Sequence, residues 1–310
     1  MKYKADVKLI EDYEILSLED LDSGNSFSLI PRLGANLNSF TVAGKDILWS
    51  ANNLEQIESR SISAYSGAQL FPFVNRIKDG KYKFAGSSFK LPINEPSNNN
   101  SLHGLVFDKE FLLLDANEQS GTIKLAYDYD HGNSGYPFRL YLANLFQLSG
   151  NSLTVSTVIE NKSEQAMPVG HGWHPYFVVS SQIDKVFLKI AATEYFLLDK
   201  QQIPTGYMEK YNTFQKLAQL GKTELDSCFP TKVNGGLTAQ LFRPKENLKI
   251  SLFTEGYPYL QVYTPTDRKS IAIEPQTSAP DAFNNGIGNI LLKPESSISL
   301  KFQILVEKGK

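Results

Sequence analysis

The clearest regularity along the chain is an alternation of period two. Near the C-terminus Ile298, Leu300, Phe302, Ile304 and Val306 alternate with Ser299, Lys301, Gln303 and Leu305, the pattern of a strand with one buried face. Tyr82 and Phe84 lead into Ala85-Gly86-Ser87-Ser88 and out through Phe89 and Leu91, and Leu148-Ser149-Gly150-Asn151-Ser152 precedes Leu153, Val155 and Ile159. Both predict hairpins. A third hairpin is predicted at Gly44-Lys45-Asp46, between Phe40-Thr41-Val42 and Ile47-Leu48-Trp49. Gly132, Gly135 and Pro137 punctuate the middle of the chain as turn formers. Helical pattern is sparse, confined to short stretches around Asn53–Arg60 and Tyr211–Leu220.

Strands recur from end to end without βαβ alternation, which argues against a doubly wound sheet or a (β/α)8 barrel and for an all-β fold, a large antiparallel sandwich. Pro92 to Asn100, rich in Asn, Pro and Ser, reads as a loop too short to link domains. At 310 residues the chain is long for one domain, although large all-β sandwiches reach about 200–250 residues as a single unit; of one large domain or two closely joined ones, a single domain over residues 1–310 is expected.

Composition narrows the function. Hydrophobic residues make up 41% and charged residues 21%, enough to bury a core and too apolar for disorder. The net charge is −2 with Lys and Arg scattered, which leaves no basic footprint for nucleic acid or anionic lipid. Cys228 is the only cysteine, so an intramolecular disulfide and a cysteine-based zinc cluster are excluded and a reducing compartment fits. Met1-Lys2-Tyr3-Lys4-Ala5-Asp6-Val7-Lys8 carries no apolar run of the signal-peptide kind, and no stretch of about 18 apolar residues could span a bilayer. A cytoplasmic, soluble protein is expected.

Chemistry must come from few groups. Of four histidines, His103 lies in Ser101-Leu102-His103-Gly104 directly after the polar loop. His131 sits in a Tyr-Asp-Tyr-Asp-His-Gly turn and reads as a structural or surface residue. His171 and His174 share Gly170-His171-Gly172-Trp173-His174-Pro175-Tyr176-Phe177, where Pro175 holds His174 extended and aromatic neighbours can wall off water. Glu274 ends the apolar run Ser270-Ile271-Ala272-Ile273-Glu274-Pro275. A carboxylate there is either a solvated strand end or a base mounted on a rigid strand.

Taken in order, these segments resemble the aldose 1-epimerase (galactose mutarotase-like) family over nearly the whole chain. The resemblance rests on Gly34-Ala35-Asn36-Leu37-Asn38-Ser39-Phe40, Pro72-Phe73-Val74-Asn75-Arg76-Ile77, Gly80 to Gly86 and Leu102-His103-Gly104, then on Gly170 to Phe177, Glu224 to Phe229, and Ile273-Glu274-Pro275 running to Asp281-Ala282-Phe283-Asn284. It implies a large antiparallel β-sandwich whose concave face binds a sugar. It further implies Glu274 as catalytic base, His174 as general acid, and His103 as a third catalytic residue beside the sugar ring. Arg76, Asn75 and Asp226 would bind the substrate. For Arg76 a surface ion pair is the competing reading, and for Asp226 a solvated turn.

The implied reaction interconverts the α and β forms of a free aldose. The anomeric hydroxyl loses a proton as the ring oxygen gains one, the ring opens to an aldehyde, C1–C2 rotates and the ring recloses. A base and an acid on opposite sides of that centre are then expected, Glu274 ionised and His174 supplying a proton, with no cofactor, metal or nucleotide needed. The segment after Leu-His-Gly, Leu105 to Phe111, lacks the arginine and tryptophan that many family members carry there. With only six arginines in the chain, a hexose-6-phosphate mutarotase, which needs a cationic patch, is the weaker alternative. A non-catalytic carbohydrate-binding protein would not need the acid–base pair. A cupin-like metal site lacks the histidine–X–histidine spacing, and a glycosidase would require Asp226 and Glu274 to flank a glycosidic bond.

Overall fold

The computed structural model describes residues 2–130, 135–179 and 182–309; His131 and Gly132 lie outside them. Strands dominate. The largest sheet has nine antiparallel strands in the order Leu112–Asn117, Thr122–Asp130, Arg139–Ser149, Ser152–Asn161, Ser297–Lys308, Leu248–Glu255, Gly236–Arg243, Phe187–Ile190 and Ala218–Gln219. The C-terminal strand predicted from alternation lies at its centre, and Leu300, Phe302, Ile304 and Val306 are all buried. A second sheet of six strands holds Asp226–Pro230, Tyr259–Tyr263, Ser270–Gln276, Gly172–Trp173 and Gln69–Leu70 in that order, with Tyr176–Val178 also pairing on Ser270–Gln276. A five-stranded meander, Tyr3–Ile10 to Lys45–Asp46, forms the N-terminal part.

The two larger sheets meet through alternation. Trp173 is fully buried, its ring 5.8 Å from Phe146 and 6.0 Å from Phe302 of the nine-stranded sheet. Its neighbours Gly172 and His174 consequently face the other way. Truncating a buried aromatic of this kind typically costs about 3–5 kcal/mol, so Trp173 anchors the strand that carries His174. Among the described residues no helix is long and apolar enough to cross a membrane.

The hairpins at Ala85-Gly86 and Gly150-Asn151 form as predicted. The third turns earlier, at Ala43-Gly44, and its return strand is only Lys45–Asp46. The ladder ends where Ile47 and Leu48 N–H both converge on Phe40 O, and the chain then turns to Tyr176–Val178, Leu48 bridging Phe177 and Trp49 N–H donating to the Tyr176 carbonyl at 2.8 Å. The helix predicted near Asn53 is present as Leu54–Gln56, with Asn53 Oδ1 capping the Gln56 N–H, and continues as a π-turn over Ile57–Ile62.

Tyr211–Leu220 is not a helix. Phe214 and Leu220 are buried while Leu217 is exposed, so the spacing that suggests a helical face is not one face. The backbone groups pair with neighbouring strands: Tyr211 N–H to Thr193 O, Leu220 N–H to Val186 O, and Phe214 O from Ile190 N–H. Tertiary pairing there displaces the local i→i+4 ladder.

Candidate active site

Strand register assembles the site. On the six-stranded sheet Gly172 pairs with Gln276 and Tyr176 pairs with Ala272, so His174, midway between, falls opposite Glu274. Pro175 has no N–H for the ladder, and the strand is interrupted there. On the other side Gln261 pairs with Glu274 and Cys228 with Gln261. Cys228, Gln261, Glu274 and His174 thus form one row across four segments, pointing away from the core that receives Ile271, Ile273 and Trp173. Gly172 must lack a side chain, since a Cβ would stand 2.9 Å from the Pro275 carbonyl oxygen.

Glu274 is 2% exposed and His174 5%; His174 Nε2 lies 3.4 Å from Glu274 Oε1. The acid and base expected on opposite sides of the reacting carbon therefore stand side by side, because register makes them cross-strand neighbours. Gln276, two residues on along the same strand, donates from Nε2 to Glu274 Oε2 at 3.0 Å. Gln261 Nε2 donates to Asp226 Oδ1 at 2.6 Å, linking Asp226, at the start of its strand, to the row. His103 packs against His174 with ring centroids 5.2 Å apart, and Tyr176 stacks on the other side of His174 at 4.8 Å.

His103 adopts a left-handed backbone, φ 62°, followed by Gly104 at φ 83°. A Cβ on Gly104 would lie 2.1 Å from the Phe71 carbonyl oxygen. The Leu-His-Gly segment is thus a tight crossing, and His103 N–H donates to Asn75 O at 2.8 Å. A non-glycine residue held at positive φ stores strain of the kind found at functional sites. Asn75 is itself left-handed, a conformation asparagine tolerates. Its Oδ1 accepts from Arg76 Nη1 at 3.0 Å.

Arg76 is neither free nor in a surface ion pair: Glu95 holds it from two directions, and each side chain is 13% exposed. Its strand is pinned by the distant Asp281, which donates its N–H to Arg76 O and accepts from Lys78 N–H at Oδ1.

Electrostatics follow from burial. Desolvation and the nearby Asp226 carboxylate push Glu274 well above the usual carboxyl range, against a smaller opposing pull from Gln276 and Arg76. Desolvation brings His174 down to about 3. Burial thus works against both charged forms expected from reference values, the Glu274 carboxylate and the His174 imidazolium. Asp226 is solvent-exposed at the start of its strand, and only the partial desolvation of its carboxyl raises it, against a smaller lowering by Arg76. His103 is driven down by burial and by His174 and Arg76. His103 Nδ1, His174 Nδ1, Gln261 Oε1 and Gln276 Oε1 are buried without a protein partner, so no hydrogen bond fixes either histidine's tautomer.

His171, three residues before His174, belongs to the interior. It lies 2.7 Å from Gln69 Nε2 and 3.1 Å from the Tyr257 hydroxyl, in a buried network that reaches Asn144 and Thr157 of the large sheet. Among the described residues no three His, Cys, Asp or Glu side chains are grouped to hold a metal ion. A cavity of about 470 Å³ bordered by Phe107, Asp108 and Tyr127 contains none of the residues of the polar row.

The structure brings the nominated His103, His174, Glu274, Asp226, Asn75 and Arg76 into one neighbourhood. It adds Gln261, Gln276 and Glu95, which no sequence motif marks. The two glutamines could have been found only by pairing strands, since an amide in an apolar strand carries no motif.

The family model described as Aldose 1-epimerase matches residues 20–305. The Escherichia coli K12 protein YihR, uncharacterised, is 27% identical over 92% of this chain and 91% of its own length. Rat galactose mutarotase is 30% identical, over 51% of this chain and 47% of the rat protein. A solved galactose mutarotase-like protein from Clostridium acetobutylicum superposes with a TM-score of 0.87 at 24% identity, covering 99% of both chains, which establishes the shared fold.

Proposed function

Because the chain belongs to the aldose 1-epimerase family, we propose that it interconverts the α and β anomers of a free aldose, with Glu274 and His174 moving the protons. The observation that carries this reading is the buried Glu274–His174 pair, 3.4 Å apart on one strand register. Two oxygens are bonded to the anomeric carbon, the hydroxyl that must lose a proton and the ring oxygen that must gain one. An acid and a base side by side match two oxygens on one atom. A pair that holds a single proton is neutral with that proton on Glu274 and reactive with it on His174, so the proton count is the same in both forms. Moving one proton inside the pair makes it competent without exchange with solvent.

In the forward step Glu274 takes the anomeric hydroxyl proton while His174 protonates the ring oxygen, and the C1–O5 bond breaks to give the aldehyde. After rotation about C1–C2 the same groups act in reverse. His103, packed on His174, braces the imidazole and lines the sugar ring. Arg76, Asn75 and Asp226 hold ring hydroxyls, with Gln261 orienting Asp226. These groups keep the ring and the open chain in place between the two half-reactions.

Polarimetry on freshly dissolved α-glucose, α-galactose and a hexose-6-phosphate tests the proposal. The expected result is faster equilibration of a neutral hexose, unchanged by a chelator. Tight sugar binding without any acceleration would leave a carbohydrate-binding protein instead. Asp226→Ala separates binding from chemistry. If Asp226 holds a non-reacting hydroxyl, it contributes alike before and during ring opening. KM should rise roughly tenfold or more, the worth of a charged hydrogen bond, with kcat falling much less. A lost kcat at unchanged KM would make Asp226 a chemical participant.

A further inference from the structure

We propose that Glu95 is a positioning residue for substrate binding: it grips one edge of the Arg76 guanidinium and turns the other edge toward the sugar. This rests on the sugar-binding reading of the site above.

Glu95 lies in the Asn- and Pro-rich stretch Pro92 to Asn100, outside every segment that carries the family resemblance. Arg76 Nε donates to its Oε2 at 2.9 Å and Oε1 at 3.1 Å, and Nη2 donates to Oε1 at 2.8 Å. Nη1 donates to Asn75 Oδ1 at 3.0 Å. A guanidinium has five N–H groups in a fixed plane. Glu95 and Asn75 take three of them, leaving one on each terminal nitrogen for a sugar hydroxyl.

The need for such a grip follows from charge. Arg76 acts electrostatically on both Asp226 and Glu274, lowering each. An unheld guanidinium is drawn toward Asp226, and a direct pair between them would consume two sugar-binding groups at once. Glu95 competes for the arginine in a buried setting, where a bidentate carboxylate is the strongest available partner. Burial raises the Glu95 carboxyl, but the bonds from Arg76, Asn100 and Asn98 outweigh it and hold the group below its ordinary value.

The loop is built for this purpose. Asn98 Nδ2 donates to Glu95 Oε1 at 3.0 Å and Asn100 Nδ2 to Oε2 at 2.9 Å. Glu95 and Asn100 also exchange both backbone bonds, at 3.1 and 3.2 Å. Asn100 Nδ2 reaches Gln201 O and Gln201 Nε2 reaches Asn98 O, fixing the loop to the turn at Gln201. A composition that reads as loose chain thus closes a ring around one carboxylate.

Glu95→Gln keeps the side chain's size and removes its charge and one acceptor. The expected result is a KM for the best hexose raised roughly 10- to 100-fold, the scale of charge-assisted bonds, with kcat changed only a few-fold. Sugar affinity measured by calorimetry in the Glu274→Gln background should fall by the same factor. Glu95→Gln combined with Arg76→Lys should be no worse than Arg76→Lys alone, because both act through one guanidinium. A merely structural role would lower the melting temperature, add to Arg76→Lys and show no KM-against-kcat split. If Glu95→Gln does not fold, Asn98→Ala and Glu95→Asp carry the test, each expected to raise KM alone. Wild-type sugar affinity in folded Glu95→Gln, or unchanged KM in both substitutes, overturns the proposal. If Glu274→Gln keeps its turnover, the catalytic assignment fails while the Glu95 binding result still stands or falls by itself.

Discussion

Glu274→Gln and His174→Asn should each slow anomer interconversion roughly 10²–10⁴-fold, the usual worth of a positioned acid or base. Glutamine retains the hydrogen bond from Gln276 but cannot take a proton, and asparagine retains a polar atom near Glu274 but cannot deliver one. Because the two groups stand 3.4 Å apart and each must move its proton in the same step, they work as a unit. The double variant should therefore be little slower than the worse single one, well short of the product of the two losses. KM should move little in either. The measurement is initial-rate polarimetry on the best hexose, with melting temperatures to confirm folding. Near-normal rates in both variants would remove the catalytic assignment and leave a binding site only.

The folded protein should lose stability steeply below about pH 6. His171 is fully buried and brought down to about 3 by desolvation, and His103 is lowered well below its ordinary value, chiefly by the same cause. The unfolded chain takes up protons on both near pH 6.5 while the folded chain does not. The unfolded state thus binds more protons, and stability rises with pH and is lost as pH falls. Glu274 opposes His174 in this window, since burial raises the folded carboxyl well above its ordinary value while it lowers the folded imidazole to about 3. Two uncompensated protons remain, so unfolding free energy should drop by up to about 2.7 kcal/mol per pH unit below pH 6.

The raised Glu274 carboxyl acts in the opposite sense to the histidines: the proton it keeps stabilises the fold until pH rises through its folded value. Urea unfolding at pH 7, 6 and 5 checks this. His171→Gln should halve the slope whatever it does to the midpoint. A flat stability between pH 7 and pH 5 would show that these histidines are charged in the folded state.

Much of the fold could be read before any coordinates. Alternation at Ile298 to Val306 predicts the strand that lies at the centre of the nine-stranded sheet, because a half-buried strand must repeat every two residues. Two hairpins were legible at their glycines for the same local reason, φ values that few other residues adopt. Tyr211–Leu220 misled because helical spacing is only permissive: once Phe214 and Leu220 dock and the stretch from Val186 to Thr193 supplies partners, the backbone bonds outward.

The site divides in the same way. His103, His174, Arg76 and Glu274 could be nominated from their segments because Pro175, Gly104 and the apolar run before Glu274 constrain the local chain. Their chemistry could not. It comes from one pairing, Gly172 with Gln276, which sets residues 174 and 274 face to face across a hundred residues of sequence. That same burial pushes Glu274 up and His174 down from their reference values. Glu95 and Gln261 were invisible for a related reason: each acts only through a partner far along the chain, and no local pattern marks a residue whose role is another residue's orientation. The sequence determined which side chains were available and which strands would form, through short-range periodicity. Register, burial and the proton's location were left to the tertiary structure, since all three depend on contacts between segments that the chain order does not bring together.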